Sequence, residues 1–216
     1  YYQLIFNKEK KNIYFCRMSG IINSILGKKS WYRPSLDWFT EFLKIENKMS
    51  KKNIILVTGG AGFVGTNLIK LLLKKTNFKI ISLDDYSSGT KFNHLKNSRV
   101  KYVKGKTKNI SNLIKNPLKI KSVFHFGEFA RIYQSFIKMN KCIDSNSVGT
   151  NAVFNFCLKN KIKLIYSATS ASLGNKGKDK NLSPYAFFKS KNLELLENLK
   201  KWFHFKFEVI YFYNVY

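Results

Sequence analysis

Short apolar runs alternate with stretches of helical apolar spacing along most of this chain. Ile54-Ile55-Leu56-Val57 is one such run. Thr66-Asn67-Leu68-Ile69-Lys70-Leu71-Leu72-Leu73 then places its apolar residues at helical spacing. The pattern predicts strands over 54–58, 79–83, 100–103, 122–126, 163–167 and 207–213. It predicts helices over 62–75, near 111–115, over 142–159 and over 184–202. Such alternation argues for an α/β fold, a doubly wound parallel sheet with helices on both faces and right-handed crossovers. Ligands of such a sheet sit beyond the carboxyl ends of the strands, near the switch point.

The first 48 residues do not share this pattern. Ser35 can cap a short helix that places Leu36, Phe39, Phe42 and Leu43 on one face. Met49-Ser50-Lys51-Lys52 stands directly before the first strand and reads as a natural start. The expected organisation is therefore an N-terminal extension of uncertain origin over 1–48, poorly packed on the rest, and one cofactor domain over 49–216.

Composition narrows the class. The apolar fraction is 44%, ample for a core. No apolar run reaches the roughly 18 residues that a membrane span needs. Lysines precede an apolar patch near the start, but Arg17, Asn23 and Ser24 interrupt it and no small-residue cleavage site comes after it, which argues against a secretory signal. Cys16, Cys142 and Cys157 match no zinc spacing or disulfide framework, so a reducing cytoplasm is expected. The net charge of +27 invites a nucleic-acid reading. Yet only Arg17, Arg33, Arg99 and Arg131 are arginines, and the lysines are scattered through every segment. Arginine is the residue suited to bidentate recognition of bases and phosphates. The charge reads as solvated surface, and no specific nucleic-acid partner is expected.

Chemistry begins at Gly59-Gly60-Ala61-Gly62-Phe63-Val64-Gly65, between the first strand and the first helix. Glycine is needed there for three reasons: a turn with positive φ, a close approach of backbone to a pyrophosphate, and tight packing of helix on strand. The helix N-terminus then offers N–H groups and partial positive charge to phosphates. Asp84, about 20 residues on, ends the second strand. A carboxylate there can accept both ribose hydroxyls of an adenosine and would repel a 2′-phosphate, which favours NAD over NADP. A plain loop acid is the alternative, and Lys91 nearby could soften the discrimination.

Tyr185 and Lys189 lie four apart at the start of the last predicted helix, behind Pro184. That spacing puts both on one helix face. A tyrosine is a poor base at neutral pH, and a neighbouring ammonium favours its phenolate. Upstream, the fifth strand ends in the hydroxyls of Tyr166-Ser167-Ala168-Thr169-Ser170-Ala171-Ser172. Such hydroxyls can hold a substrate oxygen and pass a proton to the tyrosine; a serine-rich turn is the bland alternative.

Together the stretches VTGGAGFVG, LDDYSSG, VFHF, DSNSVGTNAVFNF, YSATSASLG, PYAFFKSKNLE and YFYNVY resemble the extended short-chain dehydrogenase/reductases, in their sugar-nucleotide epimerase branch. The resemblance runs from about Asn53 to Tyr216 and implies a Rossmann-like domain that binds NAD. It implies Thr169, Tyr185 and Lys189 as the catalytic set, with Tyr185 and Lys189 also meeting the cofactor. Gly59, Gly62, Phe63, Val64 and Gly65 would lie at the pyrophosphate and Asp84 on the adenosine ribose. Phe126, Asn146 and Tyr213 would line the cofactor, the last two near its nicotinamide half. Asn214 and Thr169 would touch a nucleotide-linked sugar. No metal is implied.

The chain departs from the family pattern at several places. Gly105-Lys106 replaces the usual Gly-Asp, and His125-Phe126-Gly127-Glu128 replaces His-x-Ala-Ala. Phe188 stands where Ser or Thr is usual, Tyr211 where arginine is usual, and the 174–183 loop is short. The family continues for roughly another hundred residues that build the sugar-nucleotide domain, so this chain reads as incomplete, with that domain largely missing and activity lost. Ser170-Ala171 after Thr169 supplies neither the Asp-Glu of the dehydratases nor the glutamate of the decarboxylases. The reading favoured is therefore an NAD-dependent epimerase of carbohydrate metabolism, a homodimer when complete, acting through a transient keto intermediate. A reductase, a dehydratase and a catalytically idle NAD-binding protein are the alternatives.

Overall fold

Ile55, Leu56 and Val57 are buried without interruption, as a strand covered on both faces requires. They belong to β1 (Ile54–Thr58), which sits at the centre of the sheet. This computed structural model describes residues 52–170 and 174–213. The expectations for residues 1–48, for 171–173 and for Asn214 lie outside the described residues.

After β1 come α1 (Phe63–Lys75), β2 (Lys79–Asp84), β3 (Val100–Lys104) and the single turn α2 (Ile110–Leu113). Next are β4 (Ile120–His125), α3 (Ile132–Ile137), α4 (Met139–Ile143), a π-helical turn over Asp144–Gly149 and α5 (Thr150–Lys159). β5 (Lys163–Thr169), a 3-10 segment over Gly174–Asn181, α6 (Pro184–Phe203) and β6 (Phe207–Phe212) complete the order. The six strands are all parallel, in the order β3-β2-β1-β4-β5-β6. The order reverses between β1 and β4, which opens a crevice at their carboxyl ends.

All six strands stand where the apolar runs placed them, within a few residues. The helix expected over 142–159 is a correction: the stretch is divided into α4, the π turn and α5. A π turn holds one residue more than an α turn and so shifts the phase of the helix after it. Asn146, Gly149 and Thr150 are the buried positions around this junction. Helix α3 was not expected at all. Its Ile132, Tyr133, Phe136 and Ile137 share one exposed face, and at six residues the helix is too short for that spacing to stand out.

The core lies between β4, β5 and the helices α5 and α6. It is built from Val123, Val153, Phe154, Phe156, Leu164, Tyr166, Leu196 and Leu199 with Leu56 and Leu83 of the central strands. Helix α6 is well ended. Ser183 Oγ accepts the Ala186 N–H at 3.1 Å, Pro184 fills the first turn, and His204 closes the helix in the left-handed conformation at φ 52°. Its buried stripe is Ala186, Lys189, Asn192, Leu196 and Leu199. Two polar residues in that stripe are thus driven into the interior by helix geometry, and they must find partners there.

Candidate active site

The turn from β1 to α1 separates the three demands on glycine. Gly59 has φ +69°, and a Cβ on it would stand 2.7 Å from the Phe126 carbonyl carbon. A Cβ on Gly65 would stand 2.2 Å from the Gly59 oxygen, so this position lets α1 pack on the turn. A Cβ on Gly62 meets only the Gly59 oxygen, at 3.3 Å, and otherwise points into open space. Gly62 caps α1, and the first turn of that helix carries no acidic residue to offset its positive end. Phe63 is exposed and Val64 half-buried beside it. These features fit a pyrophosphate against Gly62.

Asp84 ends β2 with its carboxylate held from two sides. Ala61 N–H donates to Oδ2 at 2.9 Å and Tyr86 N–H to Oδ1 at 2.8 Å. Each oxygen keeps a lone pair for a ribose hydroxyl. Tyr86 adopts the left-handed conformation at φ 61°, and its hydroxyl meets His94 Nε2 at 3.1 Å. The His94 ring stacks on Tyr102 with centroids 3.7 Å apart. Sequence reading missed this aromatic set beside Asp84, because its members come from three separate segments. Lys106, which replaces the usual aspartate, pairs with Asp144 at 2.9 Å, as Lys108 does at 2.8 Å. Both lysines tie the loop after β3 to the π turn.

Thr169 ends β5 and is buried. Tyr185 is half-buried in the first turn of α6, four residues before Lys189, and Ser135 Oγ accepts its backbone N–H at 3.3 Å. Lys189 is drawn inward. Its ammonium pairs with Glu128 and donates to the Ser167 carbonyl at 2.5 Å and Ser167 Oγ at 3.2 Å. It also lies 4.8 Å over the Tyr166 ring. Three acceptors match the three donors of an ammonium.

Glu128 anchors a buried network. Its Oε1 accepts from Thr150 Oγ1 at 2.9 Å, Tyr166 Oη at 3.1 Å and Asn192 Nδ2 at 3.4 Å. Thr150 also meets His125 Nε2 at 3.1 Å, and His125 Nδ1 meets Thr58 Oγ1 at 2.7 Å. Thr58 in turn accepts the Gly127 N–H at 3.1 Å. Satisfying this whole chain requires a neutral His125 with its proton on Nε2. Burial, with the Lys189 charge nearby, pushes the His125 pKa down to about 4 against the opposing pull of Glu128. Burial, and next the Glu128 charge, hold the Tyr166 phenol well above its ordinary value.

Asn146 is fully buried, and both ends of its amide go to the backbone of Phe129. Nδ2 donates to the Phe129 carbonyl at 2.8 Å, and Oδ1 accepts the Phe129 N–H at 2.6 Å. It thereby fixes the residue next to Glu128. Phe126 packs edge-on against Phe212, with centroids 5.9 Å apart, near the end of β6. Tyr213 beyond it is exposed. Cys142 and Cys157 are buried, and burial raises the Cys142 thiol to about 11. Sequence reading registered Glu128 only as a departure from the family pattern. An acid one turn past an apolar strand is the signal that could have marked it as a buried partner for the lysine. Among the described residues there is no group of side chains that could hold a metal ion, and no helix is long and apolar enough to cross a membrane.

The model of the NAD dependent epimerase/dehydratase family matches residues 55–216. The dTDP-D-glucose 4,6-dehydratase of Dictyostelium discoideum is 35% identical over 130 residues, which is 56% of this chain and 30% of that protein. The UDP-glucose 4-epimerase from Brucella ovis, solved in complex with NAD, is similar in fold with a TM-score of 0.67 at 22% identity, over 75% of this chain and 52% of that one. The Bordetella bronchiseptica enzyme WbmF, solved in complex with NAD+ and UDP, has a TM-score of 0.68 at 25% identity, over 76% of this chain and 50% of its own. The chain therefore spans about half the length of these solved structures and less of the curated relative. With the glycine turn, Asp84 and the parallel sheet already in place, the match over three quarters of its length means that this chain belongs to the NAD-dependent epimerase/dehydratase family and that its cofactor is NAD.

Proposed function

We propose that the protein to which this chain belongs epimerises a nucleotide-linked sugar through a transient keto intermediate. The observation that carries this reading is Tyr185 and Lys189 one turn apart on α6, with Thr169 ending the strand before it, in a chain of this family. NAD, when bound, supplies the hydride acceptor and returns the hydride. Tyr185 Oη takes the proton of a sugar hydroxyl, whose carbon gives up its hydrogen with the bonding pair. Thr169 donates to the same oxygen and fixes it in a near-attack position. The keto sugar would then turn over to present its other face, and Tyr185 would give the proton back to the sugar oxygen. The cycle has no net redox change, so NAD would be regenerated within each turnover. Lys189 is the ammonium that acts on Tyr185 from one turn away, and reaching the nicotinamide ribose would require it to release one acceptor. The Ser167 Oγ contact at 3.2 Å is the longest of its bonds and the readiest to exchange.

Residue identities weigh against elimination, although the Dictyostelium relative is a dehydratase. Ser170-Ala171 offers no acid or base beside Thr169. Asp84 and Gly62 support the NAD role, the one holding the ribose and the other admitting the pyrophosphate. The family resemblance implies Phe63 and Val64 over the phosphates, with Phe126 and Tyr213 toward the nicotinamide half; Asn146, buried on the Phe129 backbone, would act there only by holding that segment. A UDP carrier is the first to try, because WbmF is solved with UDP.

The test is absorbance of reduced nicotinamide, with product analysis, after UDP-hexoses are added to the full-length protein. Transient reduction and a C4-inverted product are expected. General-base help of this kind contributes about 10²–10⁴-fold, so Tyr185→Phe loses at least that while NAD stays bound. Turnover at the unmutated rate in Tyr185→Phe would overturn the assignment. A dehydrated product would replace epimerisation with elimination.

A further inference from the structure

Glu128 sits where the extended short-chain dehydrogenase/reductases usually carry alanine, and nothing in the proposed reaction uses it. Its side chain is 1% exposed and that of Lys189 4%, so neither presents a surface to a ligand. A carboxylate at this depth is costly unless it is paired and fully hydrogen-bonded. Here it is both: Lys189 on one oxygen, and Thr150, Tyr166 and Asn192 on the other. Residues from α5, β5 and α6 all contribute to holding one charge. The ammonium it binds is the one that the proposed mechanism asks to act on Tyr185.

We propose that Glu128 is the counter-charge of Lys189, a positioning residue that fixes the ammonium and limits how much of its positive charge reaches Tyr185. The inference rests on Tyr185 being the base of the proposed reaction. An ammonium alone draws a nearby phenol toward phenolate; an ammonium paired with a carboxylate does so far less, because the two fields oppose. The other charged groups around Tyr185 are weaker influences. Arg131 precedes α3, whose Ser135 meets the Tyr185 backbone, and it is exposed. Lys178 and Lys180 of the 3-10 segment packed on α6 are exposed, and Asp179 is partly so. Lys138 before α4, Lys141 on α4 and Asp144 in the π turn, elements that also pack on α6, are exposed or partly so, and solvent screens all seven. Tyr166 on β5 stays protonated and His125 behind it neutral, so neither adds charge near neutral pH. Among the described residues, Glu128–Lys189 is the buried ion pair one turn along α6 from Tyr185.

The experiment reads Tyr185 directly, in the 216-residue chain without substrate. Carbon-13 is placed at the ζ carbon of tyrosine, and the Tyr185 signal is assigned by its loss in Tyr185→Phe. Its titration midpoint is tracked in the unmutated chain and in Glu128→Gln. Removing the carboxylate charge leaves the lysine uncompensated, and the midpoint falls by about one pH unit. That is the size one charge produces over roughly 10 Å at an effective dielectric constant of about 20. A midpoint that stays or rises overturns the proposal, whatever happens to the melting temperature. Breaking a buried pair can prevent folding, whereas removing both charges together is usually tolerated. The double variant Glu128→Gln with Lys189→Met therefore decides the case if the single one does not fold. Its Tyr185 midpoint is expected within about half a unit of the unmutated chain; any larger shift, in either direction, overturns the proposal. Neither readout depends on epimerase activity, so failure here is distinct from failure of the proposed reaction.

Discussion

A methyl group added at Gly65 would lie 2.2 Å from the Gly59 carbonyl oxygen and 2.7 Å from the Gly60 Cα, where only backbone is available to yield. The same group on Gly62 would meet one oxygen at 3.3 Å and then solvent. Gly65→Ala is accordingly expected to destabilise the chain by about 1–3 kcal/mol or more, through forced movement of the turn. Gly62→Ala is expected to leave the melting temperature nearly unchanged and to weaken NAD binding at least tenfold. Thermal melts and a cofactor titration on both variants check the pair; equal effects of the two on stability would contradict the division of roles. At this scale much was legible. The spacing of glycines and Asp84 in the sequence leads directly to the turn and the held carboxylate. Glu128 was not legible as a partner of Lys189, because 61 positions separate them and only the packing of α6 on β5 and the π turn brings the lysine to the loop after β4.

His125 ends β4 and links it to β1 through Thr58 and to α5 through Thr150. All three elements meet at a neutral imidazole that is sealed from water. Its pKa is about 4 in the folded chain against 6.5 for the free side chain, so the unfolded chain binds the proton first as pH falls. The stability tied to neutral His125 is fully present above about 6.5 and is lost progressively down to about 4, a change of ~3 kcal/mol. Urea unfolding measured from pH 7 to pH 5 is expected to show falling stability with acid, and His125→Gln a shallower slope over the same range. Identical slopes would remove His125 from the pH dependence. Element positions were legible because the strands are continuous apolar runs and α1 and α6 carry clear buried stripes. The π turn and α3 were not. The first is a one-residue change of phase within a helical pattern, and the second lacks an apolar face turned to the core.

For the molecule as a whole, the sheet order and its switch point arise from alternating strand and helix patterns with right-handed connections. Scattered lysines account for the net charge of +27 without a shaped basic surface being needed. We propose that the crevice at the carboxyl ends of β1 and β4 takes NAD, with its adenosine ribose reaching Asp84 at the end of β2. Both Asp84 oxygens already accept backbone N–H groups, which aims the carboxylate to where a 2′-phosphate would have to sit. Isothermal titration of the 216-residue chain with NAD and with NADP tests this most directly. NAD is expected to bind at least tenfold more tightly than NADP, and Asp84→Ala to weaken NAD and narrow that gap. Binding of NADP as tight as or tighter than NAD in the unmutated chain would contradict the claim.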